Sequence, residues 1–169
     1  MGTEYFRYDV EKIKLDSKDK KILELLYKNS RTPVSEIARK TGIPKDSVLY
    51  RVKRLEKLKA VTYITIINPV LMGFPIFKFI NLILHNFNPK REKEFISFIT
   101  THPNIIYSAK TSGRYDYTIA ISAKSLKHFD EIMKLLRTKF SDIIKDFETV
   151  DILEEYKYDY MVDLIDQMQ

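Results

Sequence analysis

Apolar residues recur at helical spacing three times in the first sixty positions, each time between recognisable start and stop signals. Ile22, Leu25 and Leu26 share one face of a helix predicted over residues 16–28, with Leu15, Asp16 and Ser17 at its start offering an oxygen cap to free amides. A second helix begins near Pro33, buries Val34, Ile37 and Ala38 over about two turns, and stops at Gly42. Ile43 and Pro44 make the turn. A third helix is predicted over residues 45–58, with Val48, Val52 and Leu55 buried and Lys45, Asp46, Ser47, Tyr50, Lys53, Arg54 and Lys57 turned outward.

Past Lys59 the period changes. Residues 61–67 form a strand-like β-branched run that ends at Asn68 and Pro69, and Gly73, Phe74 and Pro75 close the connector. The remaining pattern predicts strand 76–87, helix 89–101, strand 105–110, a turn at Ser112 and Gly113, strand 116–122, helix 125–141 and strand 147–156. Phe95, Phe98 and Ile99 are the buried positions of the first of these helices, and Phe129, Met133, Leu136 and Phe140 those of the second. The order βαββαβ is the split-βαβ, ferredoxin-like plan, in which both helices cover one face of a four-stranded antiparallel sheet. The fold class is therefore α+β: a helix-turn-helix, winged-helix-like domain over residues 1–60, a connector over 61–75, a ferredoxin-like domain over 76–158, and a tail over 159–169. In the tail, Met161, Leu164, Ile165 and Met168 suit a short amphipathic helix. The sheet's second face, alternating Phe, Ile, Val and Tyr, calls for a second copy of itself, which predicts a homo-oligomer.

Composition narrows the classes. The 169 residues contain no cysteine, which excludes disulfides, thiolate metal sites and a cysteine nucleophile. Lys78, Asn81 and His85 interrupt the apolar stretches well short of the roughly 20 residues a membrane crossing needs, and residues 1–9 lack a signal-peptide plan. A soluble, cytoplasmic protein is expected, and its Lys, Ile and Tyr content leans towards a thermophile. Charge is uneven: residues 1–68 carry +7 and the rest −1, so the first module is the one suited to a polyanion.

Two short helices joined through a glycine, the second exposing basic and hydroxyl groups, place a recognition helix in the major groove of double-stranded DNA. Lys45, Lys53 and Arg54 are positioned for phosphates, and Ser47 and Tyr50 for base edges. Arg51, one turn from Arg54, either neutralises a phosphate or braces the domain by pairing with Glu56 or with an acid of the first helix. Thr32 and Ser35 are expected to be ordinary caps. His85, His102 and His128 show no paired ligand spacing, and neither a phosphate loop nor a nucleophile elbow is present; no enzyme, metal or cofactor is expected.

Leu15-Asp16, Asp19, Ile22-Leu23, Arg31, Glu36-Ile37-Ala38, Gly42-Ile43, Val48, Arg51-Val52 and Arg54-Leu55-Glu56 together resemble the amino-terminal domain of the leucine-responsive regulator (Lrp/AsnC) family of transcription factors. The likeness continues through Asn68-Pro69 and Gly73 to Gly113-Arg114-Tyr115-Asp116, which matches that family's Gly-x-Tyr-Asp loop. The resemblance implies a sequence-specific DNA-binding regulator whose second domain dimerises through its sheet, assembles as far as octamers and binds an amino acid or related effector. Gly113, Tyr115 and Asp116 are its candidate effector residues. Read from the residues alone, the favoured account is a hairpin turn at Gly113 and an Asp116 carboxylate bonded to loop amides, and the resemblance brings the effector role level with it. Where the family usually has a glycine after the recognition helix, this chain has Lys59. Two alternatives stand beside this reading. One is an oligomeric metabolite-binding module with weak nucleic-acid contact. The other is a family-derived sirohaem decarboxylase, disfavoured because Ala109-Lys110-Thr111 stands where those proteins place a histidine.

Overall fold

A computed structural model describes residues 13–86, 88–154 and 156, which fall into two compact units, 13–66 and 67–156. The 159–169 tail lies outside the described residues.

In the first unit, α1 (Ser17–Lys28) starts at Asp16, whose carboxylate accepts the Lys18 and Asp19 amides while the Asp19 side chain reaches back to the Asp16 amide, a reciprocal capping box. α2 (Val34–Thr41) starts after Pro33 with no side-chain cap, so the expectation that Thr32 or Ser35 caps it is not met; the Thr32 hydroxyl instead donates to the Asn29 carbonyl. α2 ends at Gly42, whose φ of 70° is the left-handed conformation that suits glycine. α3 (Lys45–Lys57) follows Pro44. Ile22, Leu26, Ile37, Ile43, Val48 and Val52 make one buried cluster from the three helices and the turn.

α3 closes with a Schellman motif: the Ala60 amide bonds the Leu55 carbonyl and the Lys59 amide the Glu56 carbonyl. Lys59 sits at φ 57°, so the left-handed helix end is kept and a lysine occupies it. Residues 61–67, expected to be strand-like, form no ladder among the described residues, and Ile64, Ile66 and Ile67 are exposed. A β-branched run needs a neighbour to pair with, and the described residues supply none there.

The second unit opens with a turn at 69–73 capped by the Asn68 side chain and closed at Gly73. It continues as β1 (Ile76–Leu84), α4 (Pro89–Thr101), β2 (Ile105–Lys110), β3 (Tyr117–Ala123), α5 (Leu126–Lys139) and β4 (Ile144–Asp151). The sheet is antiparallel in the order β2-β3-β1-β4, so β1 and β3 lie at its centre. Ile80 and Leu82 of β1 and Ile119 and Ile121 of β3 pack against Phe95 and Ile99 of α4 and Met133 and Leu136 of α5, which puts both helices on one face. Phe77, Phe79 and Tyr107 lie on the other, their rings stepping edge to face at 5.3 and 6.1 Å.

β3 and α5 shift by one or two residues from the pattern, and β4 ends at Asp151 rather than at 156; the end of β1 and the start of β4 have physical reasons. β1 stops at Leu84, because Asn86 takes a positive φ of 49° and turns the chain towards the Asn88 cap of α4. β4 begins at Ile144 rather than at Phe147, since Lys145 and Asp146 disguise a ladder that pairs Leu84 with Ile144.

Candidate nucleic-acid interface and effector loop

The turn between α2 and α3 is fixed from both sides. The Gly42 amide bonds the Ala38 carbonyl at 2.9 Å, and Ile43, buried, docks the turn on the core. Val48, Val52 and Leu55 then anchor one face of α3, which leaves Lys45, Tyr50, Lys53 and Lys57 exposed on the other; Tyr50 is 68 % exposed. Ser47 is half-buried beside them. An aromatic ring and three ammonium groups held outward on a rigid helix form a surface that suits a nucleic-acid groove.

Arg51 and Arg54 are placed differently from that exposed set. One Arg51 nitrogen, Nη1, donates to both Asp16 oxygens at 2.7 Å and to Asp19 Oδ1 at 2.8 Å, and Arg54 Nη2 donates to Asp19 Oδ2 at 2.6 Å. Asp19 is 1 % exposed. The Asp16 carboxyl is held at about 2, first by the Asp19 amide and then by Arg51, and the Arg51 guanidinium is pushed above its ordinary value chiefly by its bond to Asp16. Of the two roles weighed for Arg51, the structure supplies a brace to the acids of the first helix, not to Glu56. Arg54, expected to face phosphate, is turned onto the same carboxylate because Asp19, buried, requires cations beside it. The sequence carried a signal for this that is easy to miss: Asp19, Ile22 and Leu26 fall at i, i+3 and i+7, so an acid occupies the buried stripe of α1.

In the second unit the loop between β2 and β3 is tied to the centre of the sheet. Asp116 donates its amide to the Leu82 carbonyl at 2.9 Å and accepts the Leu84 amide on Oδ2 at 2.7 Å, closing the end of β1. Gly113 lies at φ 134°, a conformation that disfavours a side chain. The Tyr115 phenol bonds Glu148 of β4.

A cavity of about 220 Å³ opens beside this loop, with Leu84, Glu92, Lys110, Asp116, Tyr117 and Ile143 among its lining. Glu92 accepts from Lys110 Nζ at 2.7 Å and from the Tyr117 hydroxyl at 2.6 Å, and these bonds, Lys110 first, hold its carboxyl below the ordinary range. Burial, together with Glu92, pushes the Tyr117 phenol up. The structure thus brings Asp116 to the cavity, whereas Gly113 and Tyr115 are not among its lining. Glu92, Lys110 and Tyr117 are the members sequence reasoning missed. Here too the signal was an acid in a buried stripe, since Glu92, Phe95 and Ile99 follow the same i, i+3, i+7 spacing. A larger, open cleft of about 570 Å³ beside the end of α5 is lined by Lys134, Arg137 and Lys145. Arg137 lies over the Phe147 ring and Lys134 pairs with Asp130, and basic residues near a helix C-terminus complement its free carbonyls.

Among the described residues no helix is long and apolar enough to cross a membrane. Residues 15–56 match the AsnC-type helix-turn-helix domain, and residues 78–162 match the Lrp/AsnC ligand binding domain. The HTH-type transcriptional regulator LrpC of Bacillus subtilis is 30 % identical over 72 % of this chain and 83 % of its own length. The HTH-type transcriptional regulator FL11 of Pyrococcus furiosus is 29 % identical over 72 % of this chain and 80 % of its own. The solved structure of Bacillus subtilis LrpC superposes with a TM-score of 0.73 at 28 % identity, covering 87 % of this chain and all of that one. A transcriptional regulator of Neisseria meningitidis solved with L-Met shares the fold, with a TM-score of 0.76 at 24 % identity over 86 % of this chain and 94 % of that one.

Proposed function

We infer the mechanism from one premise: the chain belongs to the Lrp/AsnC family, and is a DNA-binding transcriptional regulator with a ligand-binding second unit. In our reading α3 enters the major groove, where Lys45 and Lys53 neutralise phosphates while Ser47 and Tyr50 meet base edges. Arg51 and Arg54 hold that helix rather than read DNA. The observation that carries this is the split of α3 into a buried apolar face and an exposed cationic one.

Two surfaces favour a homodimer. Phe77, Phe79 and Tyr107 form an apolar patch on the sheet face opposite the helices, and the β-branched 61–67 run is exposed without a strand partner among the described residues. Paired α3 helices then read two half-sites of a roughly palindromic operator in successive grooves, and dimers of this kind can build larger rings. An amino acid is the effector best suited to the cavity beside Asp116. Asp116 Oδ1 and Glu92 suit an ammonium group, Lys110 a carboxylate, and Leu84 and Ile143 a modest apolar side chain. The neighbour solved with L-Met lends support to that chemistry. Such a ligand acts by binding one assembly more tightly than another, with no catalytic step and no cofactor. The protein works in the cytoplasm, where its DNA is.

The test is selection of bound fragments from random duplex at near-physiological salt, repeated with pooled amino acids. A symmetric consensus is expected, with its affinity shifted by one member of the pool. Recovery of fragments with no shared sequence would overturn sequence-specific reading.

A further inference from the structure

We propose that Asp19 is a positioning residue for DNA reading: its buried carboxylate withholds Arg51 and Arg54 from the phosphate backbone and uses them to set the recognition helix against α1. This rests on the DNA-binding reading above and adds what orients the helix that performs it.

The argument starts from burial. A carboxylate at 1 % exposure is tolerated only when ion pairs and hydrogen bonds replace its water, and Asp19 has three donors: Arg51 Nη1, Arg54 Nη2 and the Asp16 amide. Each arginine is therefore tied to α1 more firmly than an exposed cation would be. For either to leave for a phosphate, Asp19 would lose a partner while still buried, whereas the new arginine–phosphate pair would lie in water, where such pairs are weak. Geometry multiplies the effect. Asp16 and Asp19 are one turn apart at the start of α1, and Arg51 and Arg54 one turn apart on α3, so the two pairs make a two-point clasp that resists both rotation and sliding of α3. Asp16 belongs to it twice, capping α1 and gripping Arg51 with both oxygens. Meanwhile Lys45, Lys53 and Lys57 are exposed on the same helix and have no carboxylate partner among the described residues, so phosphate neutralisation falls to them.

The clasp has a signature that separates it from direct contact, namely the salt dependence of binding. With the 169-residue chain and a random-sequence duplex pool, Arg54→Gln should leave the slope of log affinity against log salt unchanged, because Arg54 neutralises no phosphate. The preference for the selected operator over that pool should fall about tenfold as α3 loses one anchor. Asp19→Asn keeps the shape but frees Arg54 while Asp16 still grips Arg51, so the slope should steepen by up to about 1 while the operator preference narrows. Thermal melting by circular dichroism keeps every measurement below unfolding; should Asp19→Asn fail to fold, Arg54→Gln, which retains the Asp19–Arg51 pair, decides. A slope shallower by about 1 in Arg54→Gln would make that arginine a backbone contact and overturn the proposal. So would an operator preference unchanged in both variants, which would reduce the clasp to fold stability alone. If the wild-type chain bound no duplex, the DNA-binding reading would fall and take the clasp's role with it, an outcome distinct from the other two.

Discussion

In the first unit the buried cluster is aliphatic, from Ile22 to Val52, and α3 is fixed at its edge by two arginines on two carboxylates. In the second, Phe95 stands edge to face with Tyr117 and Phe140 at 5.2 and 5.3 Å, inside a larger cluster to which both helices and all three strands from β1 to β3 contribute. Apolar burial is strong but has no direction, so three short helices around a small core can slide with little loss. Ion pairs with bonded geometry are directional, and the smaller unit uses them where orientation matters. The larger unit obtains orientation from the sheet ladders and places its polar groups, Glu92 and Asp116, around a cavity instead.

Four changes sharpen or break this contrast. Phe95→Ala should be the most damaging, costing the second unit about 3–5 kcal/mol in urea denaturation because the cavity it leaves sits among rings and strands. If the cost fell below about 1 kcal/mol, the ring cluster would not be what holds α4 and α5. Asp19→Ala should cost the first unit about 2 kcal/mol, less than a deeply buried pair would, because both arginines retain some contact with water. A melt in which Asp19→Ala is neutral would mean the aliphatic cluster suffices on its own.

Acid should act on the first unit more gently. Held at about 2 in the folded protein against 3.8 when free, the Asp16 carboxyl contributes stability that is fully present above about pH 4. That contribution is lost as the pH falls towards 2, and Asp16→Asn should flatten this part of the pH profile. A profile identical in the two proteins would detach Asp16 from the clasp. The smallest effect is a gain: Lys59→Gly should stabilise the first unit by about 0.5–1 kcal/mol, since glycine takes the left-handed helix end without the crowding a lysine meets there. Destabilisation in that variant would show that the lysine side chain contributes more than its backbone strain removes.

These contrasts bear on how much of the molecule is legible in its sequence. Helix faces were legible because burial imposes periodicity, so Val48, Val52 and Leu55 follow directly from spacing. α4 and β2 have the bounds that the pattern predicts. Exposure was read too broadly, however: helical projection turns Arg54 outward, yet a long side chain can bend back to an acid 35 residues away, and no periodicity records that partner. The same gap hid Glu92, whose partners Lys110 and Tyr117 come from β2 and β3. Asp116 was half legible. The hairpin account foresaw a carboxylate bonded to loop amides, and the amide it takes is that of Leu84, brought there by the sheet and not by the loop. A strand in 61–67 was expected from β-branched composition, but composition states a preference and cannot provide the neighbour it needs.

That unladdered stretch has a cost in the cell. With Ile64, Ile66 and Ile67 exposed and no ladder among the described residues, 61–67 is where a protease or a chaperone would first take hold. If a second copy shelters it, dilution exposes it again, so newly made molecules would survive in proportion to how soon they meet one another.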